Sequence, residues 1–314
     1  MNGVLVADKP LGPTSHDVVA RVRQTLGLRR IGHTGTLDPL ATGVLPLVVG
    51  QATRLASLLS ASVKEYAADI RFGASTPTYD ADARFLRDAV TGAPIEPGPP
   101  PPEPPGLTRE AIEAALPEFR GTFLQVPPAY SAKKVGGIAA YTRARRDQPV
   151  APAPVSVTSY ELVLESYAAG LARVRLSCSA GFYVRSLAHD LGQRLGCGAH
   201  LEGLRRLRAG EFALSDAVSL AEIERAGPAA ASHLIPLDRL LLHLPGVALT
   251  AGGARRASHG SALTLADLGE EAAGGAAGDR REQRRVRLLD PSGRLLGIAE
   301  PREPGVLHPV IVLV

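Results

Sequence analysis

One acid stands alone in a stretch of small and turn-forming residues, His33-Thr34-Gly35-Thr36-Leu37-Asp38-Pro39-Leu40-Ala41-Thr42-Gly43. Proline fixes its own φ and disfavours helix at the residue before it, so Asp38 is expected on a stiff loop. Gly35 and Gly43 permit positive φ or close backbone approach by a ligand. Such loops carry catalytic groups because the scaffold aims them. The plainer reading is a turn opened by Asp-Pro, and the rest of the chain decides between the two.

The chain has 314 residues, enough for one large domain or two. Its formal charge is +4, a mild bias towards an anionic partner. The only lysines are Lys9, Lys64, Lys133 and Lys134, and all other bases are arginine. Cys178 and Cys197 form no disulfide framework and no zinc pattern. There is no dinucleotide fingerprint, P-loop or metal cluster. The N-terminal residues do not read as a secretory signal, and no apolar run reaches the roughly 20 residues of a membrane span. The expected compartment is the cytoplasm, with no membrane association.

Val4-Leu5-Val6 suits a strand, followed by the loop Asp8-Lys9-Pro10-Leu11-Gly12-Pro13. Thr14 or Ser15 caps a helix with Val18, Val19, Val22 and Leu26 on one face, and Gly27 stops it. Leu45 to Val49 is an apolar run, and a helix is expected over 52–60. Tyr66, Ala68, Ile70 and Phe72 alternate with Ala67, Asp69 and Arg71, a strand pattern. Residues 93–106 are dominated by proline and glycine and are expected to form an extended surface excursion. Thr108 caps a short helix. Residues 125–149 are basic and Gly-rich and hold Tyr130 and Tyr141. Paired strands follow over 155–165 and 171–179, then a helix over 184–196. Beyond Leu244-Pro245-Gly246 the chain changes to short strand patterns, with an Ala/Gly-rich loop expected over 266–279. The division expected is 1–243 and 244–314.

Five segments, in order, resemble the TruB family of tRNA pseudouridine-55 synthases. Besides 33–43, they are Lys64-Glu65-Tyr66, the stretch Gln125 to Tyr141, Ser177 to Leu191, and Gly198-Ala199-His200-Leu201 through Leu204-Arg205-Arg206-Leu207-Arg208. Gly3 to Pro13 is also similar to the family's N-terminal strand and loop. The resemblance implies an α/β (α+β) pseudouridine synthase fold, a mixed and mostly antiparallel sheet with flanking helices. It also implies a small C-terminal PUA-like β-barrel that binds RNA. Residues 125–149 would be an RNA-gripping thumb.

The same resemblance assigns roles. Asp38 would be the essential carboxylate, attacking C1′ or C6 of a flipped uridine or assisting loss of the C2′ proton; the sequence leaves all three routes open. Arg185 would pair with Asp38. Tyr66 would stack on the base, as aromatics do for unstacked RNA bases. His33, Leu204, Lys133, Lys134 and Tyr141 would contact substrate, Lys9 would either support the catalytic loop or touch RNA, and Arg143, Arg145 and Arg146 would lie on phosphates. Arg205, Arg206 and Arg208 would extend the basic surface. The substrate implied is the T-arm of tRNA, with no cofactor, no metal, no guide RNA and no obligatory protein partner, the protein acting as a monomer. The rivals are a guide-dependent synthase, a tRNA-folding chaperone, and an aspartate hydrolase, which would need a second acid or base beside Asp38.

Overall fold

Thr14 caps a helix that runs Ser15–Leu26, its hydroxyl exchanging hydrogen bonds with Asp17 in a capping box. Gly27, at φ 63°, closes the helix in the left-handed region. Val18, Val19, Val22 and Leu26 are its buried face, as their spacing requires. The structure is a computed structural model that describes residues 1–81, 101–130, 152–269 and 285–313, together with the backbone of 134–135 and 138–139.

The described residues form an eleven-stranded mixed sheet. Its main path runs Val218–Ser219, Gly3–Lys9, Ala41–Val49, Ala199–Ala209, Lys64–Phe72, Leu171–Cys178, Val155–Ala168 and Gly121–Gln125. Two neighbouring pairs on this path are parallel, Val218–Ser219 with Gly3–Lys9 and Ala41–Val49 with Ala199–Ala209. All other pairs in the sheet are antiparallel.

Burial explains the texture of each strand. In Gly3–Lys9, Leu5 and Ala7 enter one core and Val4 and Val6 enter another on the opposite face. A strand covered on both sides reads as a continuous apolar run. Lys64–Phe72 buries only alternate residues, and its sequence alternates accordingly. The first core is covered by the helices Ser15–Leu26, Arg109–Ala115, Val184–Arg194 and Leu220–Ala226.

The C-terminal segment makes a separate four-stranded sheet, ordered Gly246–Ala248, Val286–Leu289, Leu295–Glu303 and Val306–Val312. It has its own core of Val247, Leu263, Leu288 and Leu296, among others. Leu295, Ile298 and Leu313 instead join Val4, Val44 and Leu55 in the second core, so the small sheet docks on the back of the large one. Its helix, Ala251–Ser258, was not expected from the sequence, because Ala-Gly-Gly-Ala gives no apolar period.

Three further expectations are corrected in part. The helix over 52–60 is a 3₁₀ turn, Gly50–Leu55, continued by the short α-helix Ala56–Ser60. Residues 101–106 of the proline-rich stretch do run over the surface, with four of the six exposed, but Pro104 is buried against the body. Pro102 and Glu103 pass so close to Gly73 and Gly170 that a Cβ there would lie 2.7 Å from Pro102 O and 3.4 Å from Glu103 Cα. The loop over 266–279 begins with a 3₁₀ turn, Leu265–Asp267, and the buried Leu268. Residues 93–100 and 270–279 lie outside the described residues.

Candidate active site

The Asp38 loop is pinned at almost every residue. Leu37 is buried, and the Ser15 hydroxyl receives its N–H at 2.8 Å and donates to its carbonyl at 3.0 Å. The Ala41 N–H donates to Asp38 O at 3.0 Å, and Gly12 N–H to Pro39 O at 3.0 Å. Two buried cations hold the flanks. Lys9 Nζ donates to Ala41 O at 2.6 Å and to Pro10 O at 2.9 Å, with Pro39 O at 3.5 Å. Arg206 donates through Nη2 to Gly35 O at 3.1 Å and through Nη1 to Thr36 O at 3.5 Å. With Leu37 anchored inward, Asp38 projects into a cavity of about 260 Å³.

Arg185 is the second residue of the helix Val184–Arg194 and is buried. Its Nε lies 2.9 Å from Asp38 Oδ2. This is an ion pair without an aligned hydrogen bond from Nε. Nη1 donates to Thr78 O at 3.0 Å and Nη2 to Tyr130 O at 2.9 Å. Asp80 Oδ2 lies 3.5 Å from Nη1, and the Thr78 hydroxyl donates to Asp80 Oδ1 at 2.7 Å. One guanidinium therefore faces two carboxylates, one in the cavity and one buried behind it. Asp80 was not expected from the sequence. Its stretch, Thr76-Pro77-Thr78-Tyr79-Asp80, reads as an ordinary turn, and only the fold brings it to Arg185.

Tyr66 and Leu204 line the same cavity. Tyr66 stands opposite Arg206 in the antiparallel register of Lys64–Phe72 with Ala199–Ala209. Burial pushes its phenol above the ordinary value, and the Arg206 guanidinium beside it draws it back. Lys64 also reaches the cavity, with its ammonium on the carbonyls of Ser60 and Ser62. Burial and the charge of Arg206 bring it down to about 8.

His33 lies at the loop's entry and not in the cavity lining. Its ring stands edge-on to His16 at 5.3 Å, and Nδ1 accepts from Gly35 N–H at 3.3 Å. Burial holds its pKa below the usual value, with the charges of His16 and Arg206 adding to the effect.

Of the two roles open to Lys9, contact with RNA and support of the Asp38 loop, its geometry fits the second. Lys9 is the last residue of a strand running beneath the loop, and its side chain has no surface to offer RNA. Arg206 is likewise buried and not part of a basic surface. Arg205 pairs with Asp8 at 2.8 Å and Arg208 with Glu65 at 3.4 Å. Lys133, Tyr141, Arg143, Arg145 and Arg146 lie outside the described residues. Lys134 is described only as backbone, in a two-residue strand paired with Ile138–Ala139.

The family model "TruB family pseudouridylate synthase (N terminal domain)" matches residues 23–184. That of the tRNA pseudouridylate synthase B C-terminal domain matches residues 185–244. The tRNA pseudouridine synthase B of Solibacter usitatus is 42% identical over 315 aligned residues, covering 100% of both chains. That of Geobacter sulfurreducens is 43% identical over 263 residues, covering 83% of this chain and 82% of its own. Among solved structures, a Cbf5-Nop10-Gar1 complex matches with 26% identity and a TM-score of 0.67, over 96% of this chain and 79% of that one. An H/ACA RNP bound to a substrate RNA containing 2′-deoxyuridine matches in fold, with 23% identity and a TM-score of 0.68 over 99% of this chain and 85% of that one. The sheet and its flanking helices are thus the pseudouridine synthase fold, with a separate C-terminal sheet that agrees with a PUA-like unit. By sequence along its whole length, this chain belongs to the TruB family of pseudouridylate synthases.

Proposed function

We propose that this protein isomerises a uridine of tRNA to pseudouridine, and that its target is the T-loop uridine at position 55. The observation that carries the reading is the Asp38–Arg185 pair at the mouth of a cavity walled by Tyr66 and Leu204. The reaction breaks the N1–C1′ bond, joins C5 to C1′, releases the C5 proton and returns a proton to N1. Atoms and electrons balance within the base, so the step requires no oxidant, reductant or second substrate.

The base must first leave its stack, at a cost of a few kcal/mol. Tyr66 then offers a face for the uracil and Leu204 an apolar wall. Asp38 acts on the glycosidic system, and Arg185 places a fixed positive charge beside it from a buried position. The C-terminal unit would bind RNA away from the cavity, and the segment around 125–149 would close on the T-arm. The protein would work without guide RNA or protein partner.

Tritium release tests this. Unmodified tRNA labelled at uridine C5 is incubated with purified protein alone, wild type beside Asp38→Asn. Release by the wild type only, with the product mapped to position 55, is expected. No release from bound tRNA would sink the stand-alone reading and favour a guide-dependent synthase or a chaperone. A product at another position would retain the chemistry and correct the target.

A further inference from the structure

Arg206 is more deeply buried than Arg185, at 1% exposed against 6%. Among the described residues no carboxylate lies within ion-pair distance of it. Burying a charge in that state costs several kcal/mol that an apolar residue would avoid, so stability does not account for an arginine here. Its surroundings say what it holds. Nε donates to Val44 O at 2.6 Å, while the two Nη groups take the carbonyls of Gly35 and Thr36. The guanidinium also lies against the Tyr66 phenol and lines the cavity.

The strand carrying Arg206 sits between the two elements that bear the chemistry. It pairs in parallel with Ala41–Val49, directly after the Asp38 loop, and antiparallel with the Tyr66 strand. Arg206 is the register partner of Gly43 on one side and of Tyr66 on the other. One side chain thus touches the backbone just before Asp38 and the ring across from it.

Building on the function proposed above, we propose that Arg206 is a positioning residue for the reaction. From beneath the cavity it fixes the first half of the Asp38 loop relative to Tyr66, so that carboxylate and ring face one flipped base. Its fork suits this task because three carbonyls and a phenol oxygen lie in different directions, and a lysine cannot reach them all. Lys9 grips the other half of the loop, at Pro39 and Ala41.

The test compares Arg206→Gln, which keeps donors but no charge, and Arg206→Lys, which keeps charge but no fork, with wild type. Three quantities are measured: single-turnover rate on unmodified tRNA, dissociation constant for the same tRNA, and amide exchange of peptides covering 33–43. For Arg206→Gln the rate is expected to fall at least tenfold with affinity kept within threefold. Exchange should rise in 33–43 and not elsewhere in the sheet. Arg206→Lys should recover at least threefold of the lost rate. A rate within threefold of wild type would overturn the proposal. So would a loss confined to affinity, since Arg206 would then be an RNA contact. Failure of both variants to fold, or exchange rising throughout the sheet, would make the residue merely structural and overturn it too. The exchange readout does not depend on turnover. Unchanged protection in 33–43 sinks the positioning role even if tRNA proves not to be the substrate. Wild-type inactivity alone counts only against the proposed function.

Discussion

Arg185 and Asp38 meet at 2.9 Å across a boundary, the arginine side chain 7% exposed and the aspartate 39%. The arginine is fixed from behind by the carbonyls of Thr78 and Tyr130. The aspartate is fixed through its backbone, by the turn to Ala41 and the anchored Leu37. Neither depends on the other for its place, so the pair is set before any substrate arrives. Preorganised charge of this kind costs no reorganisation when the base enters.

Replacing Arg185 with methionine leaves Asp80 buried beside an apolar chain and Asp38 without its counter-charge. Removing one partner of a buried pair costs about 3–5 kcal/mol. The low end, about 3 kcal/mol, is expected because Asp38 is partly solvated. Urea unfolding measures it. The single-turnover rate on tRNA should fall by at least about 100-fold, a size usual for loss of one preorganised electrostatic contact. A variant that unfolds like wild type and still turns over would show that the pair is incidental.

Asp38→Asn separates chemistry from binding. One carboxylate contributes little to an interface held mainly through phosphates. Turnover should vanish while tRNA affinity stays within about tenfold, read by filter binding beside tritium release. Because the side chain reaches solvent and the loop is held through its backbone, unfolding free energy should change by less than about 1 kcal/mol. Normal turnover would remove Asp38 from the mechanism.

The elements with a clear period or cap were readable from residues alone, and those shaped by neighbours were not. Thr14, Gly27 and the spacing from Val18 to Leu26 are local signals, and the helix follows them. The central strand Ala199–Ala209 shows no strand pattern in its sequence. Register shifts between Leu201 and Gly203 and between Arg206 and Arg208 break its alternation twice, so no period of two survives. Arg206 looked like surface because arginine is rarely buried. Its burial depends on carbonyls from 35, 36 and 44, which no nearby sequence signal announces. The motif residues Asp38, Tyr66, Arg185 and Leu204 do converge on one cavity. Asp80 joins them only through the tertiary fold.

Lys64 should give stability a measurable pH slope. Its ammonium is buried, and burial with the nearby Arg206 charge lowers it to about 8. In the unfolded chain lysine keeps its proton to about 10.4. Between those values the unfolded chain binds more protons, so stability rises with pH through that window. Below about pH 8 both states hold the proton and this group adds no slope. From pH 7.5 to 9.5 the wild type should gain about 2 kcal/mol relative to Lys64→Met, at about 1.4 kcal/mol per pH unit over the part of that window above 8. Urea unfolding of both proteins at the two pH values measures the difference. Parallel slopes would mean that the carbonyls of Ser60 and Ser62 keep the ammonium charged.

Gly43 has two separable reasons to be glycine. Its φ is +98°, which L side chains rarely adopt. A Cβ there would also sit 2.2 Å from Arg206 O and 2.9 Å from Arg206 N, in a neighbour held on its far side by the Tyr66 strand. Gly27 provides the comparison, since it has φ +63° with nothing within 4 Å of a Cβ. Gly27→Ala should therefore cost only the left-handed penalty, roughly 1–2 kcal/mol. Gly43→Ala adds a backbone clash at the centre of the sheet and should cost at least about 4 kcal/mol. It should also displace Arg206, so that the folded fraction at low temperature turns over more slowly than its concentration accounts for, whereas folded Gly27→Ala should match wild type. Thermal or urea unfolding together with single-turnover rates decides it. Equal losses of stability in the two variants would mean that the parallel pair of strands yields at Gly43, and that its close approach is not what fixes the loop above it.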